Sequence, residues 1–197
     1  VLSPGSNDGK VKIKGDDTAF GFNAGILVQA TDQTRVGLTY HSKVSYHLKG
    51  DTKVTGGTFS LLGLSGQSYD AKLDLDTPES VDFSVTHQLN DDWTLYMGST
   101  WTRWSRLKDI TVENSGVSPR LGGSLNTITE EQNWHDTWAH AIGAAYQLNA
   151  KWVLRTGLSV DQSPTNNANR SPRIPTGDRT AISFGAGWTP VSNITVD

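Results

Sequence analysis

Apolar and polar residues alternate with period two over most of this chain, and the alternation predicts eight strands. The first covers residues 18–30, with Phe20, Phe22, Ala24, Ile26 and Val28 on one face and Gly21, Asn23, Gly25 and Gln29 on the other. The second covers 35–49 and sets Val36, Leu38, Tyr40, Val44, Tyr46 and Leu48 against Arg35, Gly37, Thr39, His41, Lys43 and His47. Further strands are expected over 69–88, 93–112, 133–148, 152–163 and 179–188, and a last one begins at Asn193. Segments 31–34, 90–92, 149–151 and 189–192 read as tight turns, whereas 50–68, 113–132 and 164–178 are long and polar. In an up-and-down sheet, alternate connections fall at opposite ends, so one end is trimmed and the other elaborated. The expected fold is all-β, an antiparallel up-and-down barrel of the outer-membrane kind, with short periplasmic turns and long external loops.

The tryptophans sharpen this picture. Trp93, Trp152 and Trp188 stand beside short turns, while Trp101, Trp104 and Trp138 lie roughly eight to eleven residues away. For tilted strands that is about 20–27 Å along a membrane normal, the spacing of two aromatic girdles around an apolar band. The competing reading, a soluble sandwich with core tryptophans, sits poorly with opposite faces that carry polar residues and repeated Gly. Gly21, Gly25, Gly37, Gly98, Gly143, Gly157, Gly185 and Gly187 fall on the less apolar face, as suits an interior kept open.

Composition removes several function classes. With 17 Lys and Arg against 20 Asp and Glu, the balance is mildly acidic and offers no nucleic-acid surface. There is no Cys, hence no disulfide framework and no thiolate metal site. Among the five His, His135 and His140 point to opposite faces of one predicted strand, and His41 and His47 lie about 20 Å apart, so no metal site is expected. No nucleophile elbow, phosphate loop or zinc helix is present, and neither an enzyme activity nor a cofactor is expected. The opening VLSPG lacks the charged and apolar regions of a signal peptide, so an export signal is expected to have been removed or left out.

Several stretches then resemble one family. Arg155-Thr156-Gly157-Leu158-Ser159-Val160-Asp161-Gln162-Ser163-Pro164, with Asn169-Arg170-Ser171, Ile174-Pro175 and Asp178-Arg179 after it, resembles the FadL family of outer-membrane long-chain fatty acid transporters. So do Gly21-Phe22-Asn23-Ala24-Gly25-Ile26-Leu27, Leu38-Thr39-Tyr40-His41-Ser42 and Thr77-Pro78-Glu79-Ser80, in the family's order over nearly the whole chain. The resemblance implies a 14-stranded barrel plugged by an N-terminal hatch, with lateral release at a kinked strand. Eight strands cannot close such a barrel, so residues 1–197 are expected to form an interior segment of one barrel domain, without the hatch and the terminal strands. The implied function is passive passage of hydrophobic molecules, long-chain fatty acids first, across the bacterial outer membrane, through a monomeric barrel set in lipid or detergent. Alternatives are a transporter of neutral aromatic hydrocarbons, a small structural or adhesive barrel, and a lipid enzyme whose constellation the sequence does not supply.

Candidate residues follow. Phe59, Leu61, Leu62 and Leu64 are unusually apolar for an exposed connection and suit substrate capture, or a loop tip folded back onto the barrel. Asp161 matches the acid of the family's Asp-x-Ser-Pro motif near the lateral opening, or is an inward carboxylate paired with Arg155 or Arg179. Pro78 interrupts a predicted strand and is expected to mark a bulge or bend, with a gate as the alternative. Arg103, Arg106 and Lys108 are expected to be solvated cations at a strand end. The family can meet a substrate carboxylate with a basic side chain just before the strand at 133–148. Here Thr129-Glu130-Glu131-Gln132-Asn133 holds no Lys or Arg, which leaves room for other hydrophobic compounds.

Overall fold

The computed structural model describes residues 8–121, 123–172 and 174–197; the opening VLSPG lies outside them. The chain divides into two compact units, each built on an antiparallel sheet.

The larger unit, residues 21–43, 78–106 and 134–197, carries an eight-stranded sheet. Its strands are β2 (Asn23–Thr31), β3 (Thr34–His41), β6 (Ser80–Gln88), β7 (Trp93–Thr102), β10 (Thr137–Asn149), β11 (Trp152–Asp161), β12 (Arg179–Val191) and β13 (Ile194–Val196). In space they run β13-β12-β11-β10-β7-β6-β3-β2, each beside its chain-order neighbour within this unit. That is an up-and-down meander.

Register gives the two faces opposite characters. Val28, Val36, Val85, Met97, Ile142, Leu158 and Ile182 form one continuous apolar row across seven strands. One residue along, on the other face, the row reads Leu27, Gly37, Ser84, Gly98, Ala141, Ser159 and Ala181. From Gly37 to Ala181 this row is of small residues; a Cβ at Gly37 would meet Ser84 Oγ at 2.7 Å. Of the glycines expected there, Gly21 alone stands outside a strand, ahead of β2.

Aromatic pairs close the apolar band at both ends. Trp101 and Trp138 are register partners at one. At the other, Trp93 packs on Tyr146 at 4.7 Å and Trp152 stacks on Trp188 at 5.9 Å. The exposed Ile142, Leu158 and Ile182 therefore read as a surface for acyl chains rather than as an unfinished core.

The smaller unit, residues 1–20, 44–77 and 107–133, is a five-stranded sheet. Its strands are β1 (Lys10–Asp16), β4 (Ser45–Thr55), β5 (Ser68–Asp76), β8 (Asp109–Ser115) and β9 (Thr127–Glu131), paired in that order. A five-residue helix, α1 (Gly57–Leu61), lies between β4 and β5. Val54, Tyr69 and Leu125 form the core, with Phe59, Val117, Leu121 and Ile128 packed against it. Buried Thr52 donates to Asn114 Oδ1 at 2.5 Å, and Asn114 Nδ2 donates to the Leu125 carbonyl at 2.6 Å, so these two buried polar side chains satisfy one another and the backbone. At the Gly15–Gly50 register pair a Cβ on Gly50 would strike the Lys14 carbonyl, which accounts for glycine there.

Three predicted strands are thus divided and a fourth is shortened. The strand expected at 35–49 is β3 and β4, so His41 and His47 belong to different sheets. Those expected at 69–88 and 93–112 divide likewise, into β5 and β6 and into β7 and β8, and the one at 133–148 is β10, which starts only at Thr137. Pro78 marks more than a bulge. The three residues 77–79 carry the chain from one sheet to the other, where Pro has no N–H to give a ladder. Asn133 takes a positive φ of 46°, while the N–H groups of Gln132 and Asn133 both donate to the Lys108 carbonyl at 2.8 Å. Segments 50–68 and 113–132 give strand at both ends, 50–55 and 68 in one and 113–115 and 127–131 in the other, with α1 and a 3-10 turn between, and β1 adds a strand outside the predicted set. The turn expected at 189–192 shortens, because β12 runs on to Val191 through a register shift that holds Pro190.

The face assignment has a direct check. Ile142→Arg, mid-row on the apolar face, is expected to destabilise the full-length barrel in lipid vesicles by about 2–4 kcal/mol, measured by urea unfolding. Ala141→Ser, on the opposite face of the same strand, is expected to change it by less than about 0.5 kcal/mol.

Candidate functional site

The long-loop ends of β7, β10, β11 and β12 surround a cavity of about 360 Å³ lined in part by Trp104, Trp134, Thr137, Ala139, Pro164 and Arg179. Each wall follows from a local feature of the chain. Asp161 and Arg179 end β11 and open β12 as register partners, and Arg179 Nη2 donates to Asp161 Oδ2 at 2.5 Å. Beyond Asp161 the chain continues the pairing through its side chain: Gln162 Oε1 accepts the Trp138 N–H at 3.0 Å. Asp178 accepts the Ser163 N–H at 2.8 Å, and Ser163 Oγ bonds Thr176 Oγ1 at 2.8 Å, which ties both feet of the 164–178 loop together. Pro164 gives its carbonyl to the His135 N–H at 3.0 Å, holding the segment before β10 beside the loop.

That segment supplies Trp134. It is 8% exposed, its ring meets Trp104 edge-on at 5.1 Å and 69°, and its indole Nε1 has no hydrogen-bond partner. A buried donor without an acceptor costs about 1–3 kcal/mol, a cost that a ligand oxygen reaching it through a shift of the wall would relieve. The walls therefore combine two indoles, a proline and an alanine with the polar side chains of Thr102, Thr137, Gln162 and Thr176 and the Asp161–Arg179 ion pair. That set suits an apolar molecule with a hydrogen-bond-accepting end.

Trp104 is carried by a short 3-10 turn, Trp104–Arg106, that is braced from two sides. Asp136 Oδ1 accepts the Ser105 N–H at 3.0 Å. Glu79, in the break before β6 and beyond the strand itself, takes Arg103 Nη1 at 3.1 Å and Arg106 Nη2 at 2.7 Å on Oε1, and Arg106 Nε on Oε2. Its backbone carbonyl also accepts the Arg103 N–H at 3.0 Å. The Arg106 guanidinium, first of all, holds the Glu79 carboxyl down to about 2, with Arg103 adding to the effect and burial opposing it. Arg103 and Arg106 are thus not solvated cations: a buried carboxylate pairs with both.

The other predicted residues lie elsewhere. Arg155 pairs with Asp197 and stands six residues along β11 from Asp161, about 20 Å away. Phe59, Leu61, Leu62 and Leu64 belong to the smaller unit. Leu64 is 3% exposed, Phe59 packs on the core and Leu62 is half-buried, so Leu61, 70% exposed, is the open member of the four. Pro78 adjoins Glu79 in the break and is not among the residues lining the cavity. A wider trough of about 630 Å³, lined by Val85, Leu95, Met97 and Ile142 among others, belongs to the apolar band and not to this site. Sequence reading missed Trp134 and Glu79. The first was the tryptophan fitting neither girdle, and the second followed the strand-breaking proline.

Comparison with known proteins fixes the family. The sequence model of the outer membrane protein transport protein family (OMPP1/FadL/TodX) matches residues 1–197. The chain belongs to that family. A Pseudomonas aeruginosa FadL homologue of solved structure is similar with a TM-score of 0.82 and 32% identity, over 96% of this chain and 44% of that one. The long-chain fatty acid transport protein of Escherichia coli strain K12 is 28% identical over 199 residues, 98% of this chain and 43% of that protein. The Ralstonia pickettii toluene transporter TbuX shares the fold, with a TM-score of 0.62 and 23% identity over 90% of this chain and 40% of that one. The chain thus spans less than half the length of the relatives it matches. It is part of an antiparallel up-and-down barrel of the bacterial outer membrane, and its family is one of transport proteins.

The brace predicts an acid dependence. Because the folded value of Glu79 lies below its ordinary 4.5, its contribution to stability is present above about pH 4.5 and fades as pH falls toward 2. Urea unfolding of Glu79→Gln is expected to show a loss of roughly 2 kcal/mol at pH 7 and a flatter acid limb than the parent.

Proposed function

We propose that the parent barrel lets hydrophobic molecules, long-chain fatty acids above all, cross the outer membrane by diffusion without covalent chemistry. The observation that carries this reading is the unpaired indole N–H of Trp134, a residue in the wall of a cavity of mixed apolar and polar lining that also holds Arg179. A fatty acid carboxylate provides the acceptor, and its chain lies along the small-residue face at Gly98, Ala141 and Ser159. Family membership and the E. coli relative named as a long-chain fatty acid transport protein support the same substrate class. Exposed Leu61 on α1 is the residue proposed to meet substrate first, with Phe59, Leu62 and Leu64 shaping the support beneath it. Asp161 sets the orientation of Arg179 through their ion pair. The barrel works as a monomer and requires no cofactor.

Neutral aromatic hydrocarbons are the second reading. They are favoured by the edge-on Trp104–Trp134 wall and by the uncharged or acidic run Thr129-Glu130-Glu131-Gln132-Asn133. A hydrocarbon would fill the cavity and leave the Trp134 donor unmet.

Tryptophan-quenching titrations of the full-length barrel separate these readings. Saturable oleate binding is expected, and Trp134→Phe is expected to weaken it about fivefold to tenfold, the value of one hydrogen bond, while toluene affinity stays within about twofold. Toluene binding without oleate binding selects the hydrocarbon reading. Binding of neither rejects transport of both classes.

A further inference from the structure

The cavity has a wall that does not hold itself in place. Trp104 sits on a turn of three residues, too short to be stable alone. One carboxylate grips that turn on both flanks, since Glu79 receives Arg103 before Trp104 and Arg106 after it. Asp136 fixes the middle through the Ser105 N–H, and Asp136 is itself two residues from Trp134. Both indoles are therefore tied to the same turn, Trp104 as its first residue and the Trp134 segment through Asp136. Glu79 is not among the residues lining the cavity, yet it is 6% exposed and meets two guanidinium groups. Closing the start of β6 needs only the backbone of residue 79, whose carbonyl accepts the Arg103 N–H; the carboxylate itself serves the two guanidinium groups.

We propose that Glu79 is a positioning residue for the ligand site: by clamping Arg103 and Arg106 it sets the angle of Trp104 against Trp134, and through that contact the orientation of the indole N–H that meets substrate. This rests on the cavity being the substrate site. The carboxylate form is required. An amide at this position places a donor opposite guanidinium donors, so at least one of the three side-chain bonds is lost, and the turn is released to rotate Trp104 away.

A double-mutant cycle on the full-length protein in detergent tests this, with near-ultraviolet circular dichroism as a readout that needs no ligand. Glu79→Gln is expected to lose the part of the tryptophan signal that Trp134→Phe also removes. In the Trp134→Phe background, Glu79→Gln is expected to change nothing further. Oleate affinity is expected to fall threefold to tenfold in Glu79→Gln, with the two substitutions less than multiplicative when combined. Glu79→Asp keeps the charge but shortens the reach by one methylene, and is expected to show a smaller loss of the same signal; it serves if Glu79→Gln does not fold. An unchanged dichroic signal in a folded Glu79 variant, or fully independent effects of Glu79 and Trp134, overturns the proposal. If the parent binds no oleate while the dichroic coupling holds, the substrate reading fails and the positioning of Trp104 by Glu79 stands.

Discussion

The backbone ladder is the constraint on which everything else depends. Inside a bilayer no water is available to an unpaired N–H or C=O, so strands that cross it must pair along their whole length with neighbours. The eight-stranded sheet does this by unbroken pairing from β2 to β12, with register holding through nearly every residue. Once that ladder exists, period-two alternation sends each side chain to one of two environments. Val28 through Ile182 form a row that acyl chains can cover, and Gly37 through Ala181 form a row small enough to leave room.

The chemistry gathers where the ladder stops. At residues 77–79, 103–108, 132–136 and 162–164 the chain leaves one sheet or enters a loop, and its polar groups must find partners that strands no longer provide. Thr77 Oγ1 accepts the Val44 N–H, Asp136 accepts that of Ser105, Gln162 accepts that of Trp138, and Glu79 collects two arginines. The same breaks therefore support the cavity and carry its one unpaired donor. In the smaller unit, folding turns the long connections into a second sheet with its own core at Val54, Tyr69 and Leu125, and α1 presents Leu61 from it.

Much of this was open to reading from the chain. Strand faces, most short turns and the girdle pairs follow from alternation and from the position of tryptophan relative to turns, because those signals are local; Trp104, assigned to a girdle by spacing, instead meets Trp134 in the cavity wall. The breaks were harder to see. Val44, Tyr46 and Leu48 continue the alternation of Val36, Leu38 and Tyr40 in phase, so nothing in the pattern marks residues 42–44 as a passage between sheets. Phe59 and Leu64 look like an exposed patch in sequence, and they are support for a helix because Val54 and Leu125 lie beneath the same unit. Arg103 and Arg106 look like free cations until Glu79, more than twenty residues earlier, is brought against them.

The sequence by itself determined the all-β architecture, the two unlike faces and membership of a transport family, since period-two patterning and motif order need no knowledge of partners. Tertiary structure alone decided that Asp161 pairs with Arg179 and not Arg155, that Glu79 is buried between two guanidinium groups, and that Trp134, in a cavity wall, keeps a buried donor without a partner. Those outcomes depend on which segments meet at the end of the ladder. Alternation repeats identically along every strand, so it carries no information about which break faces which.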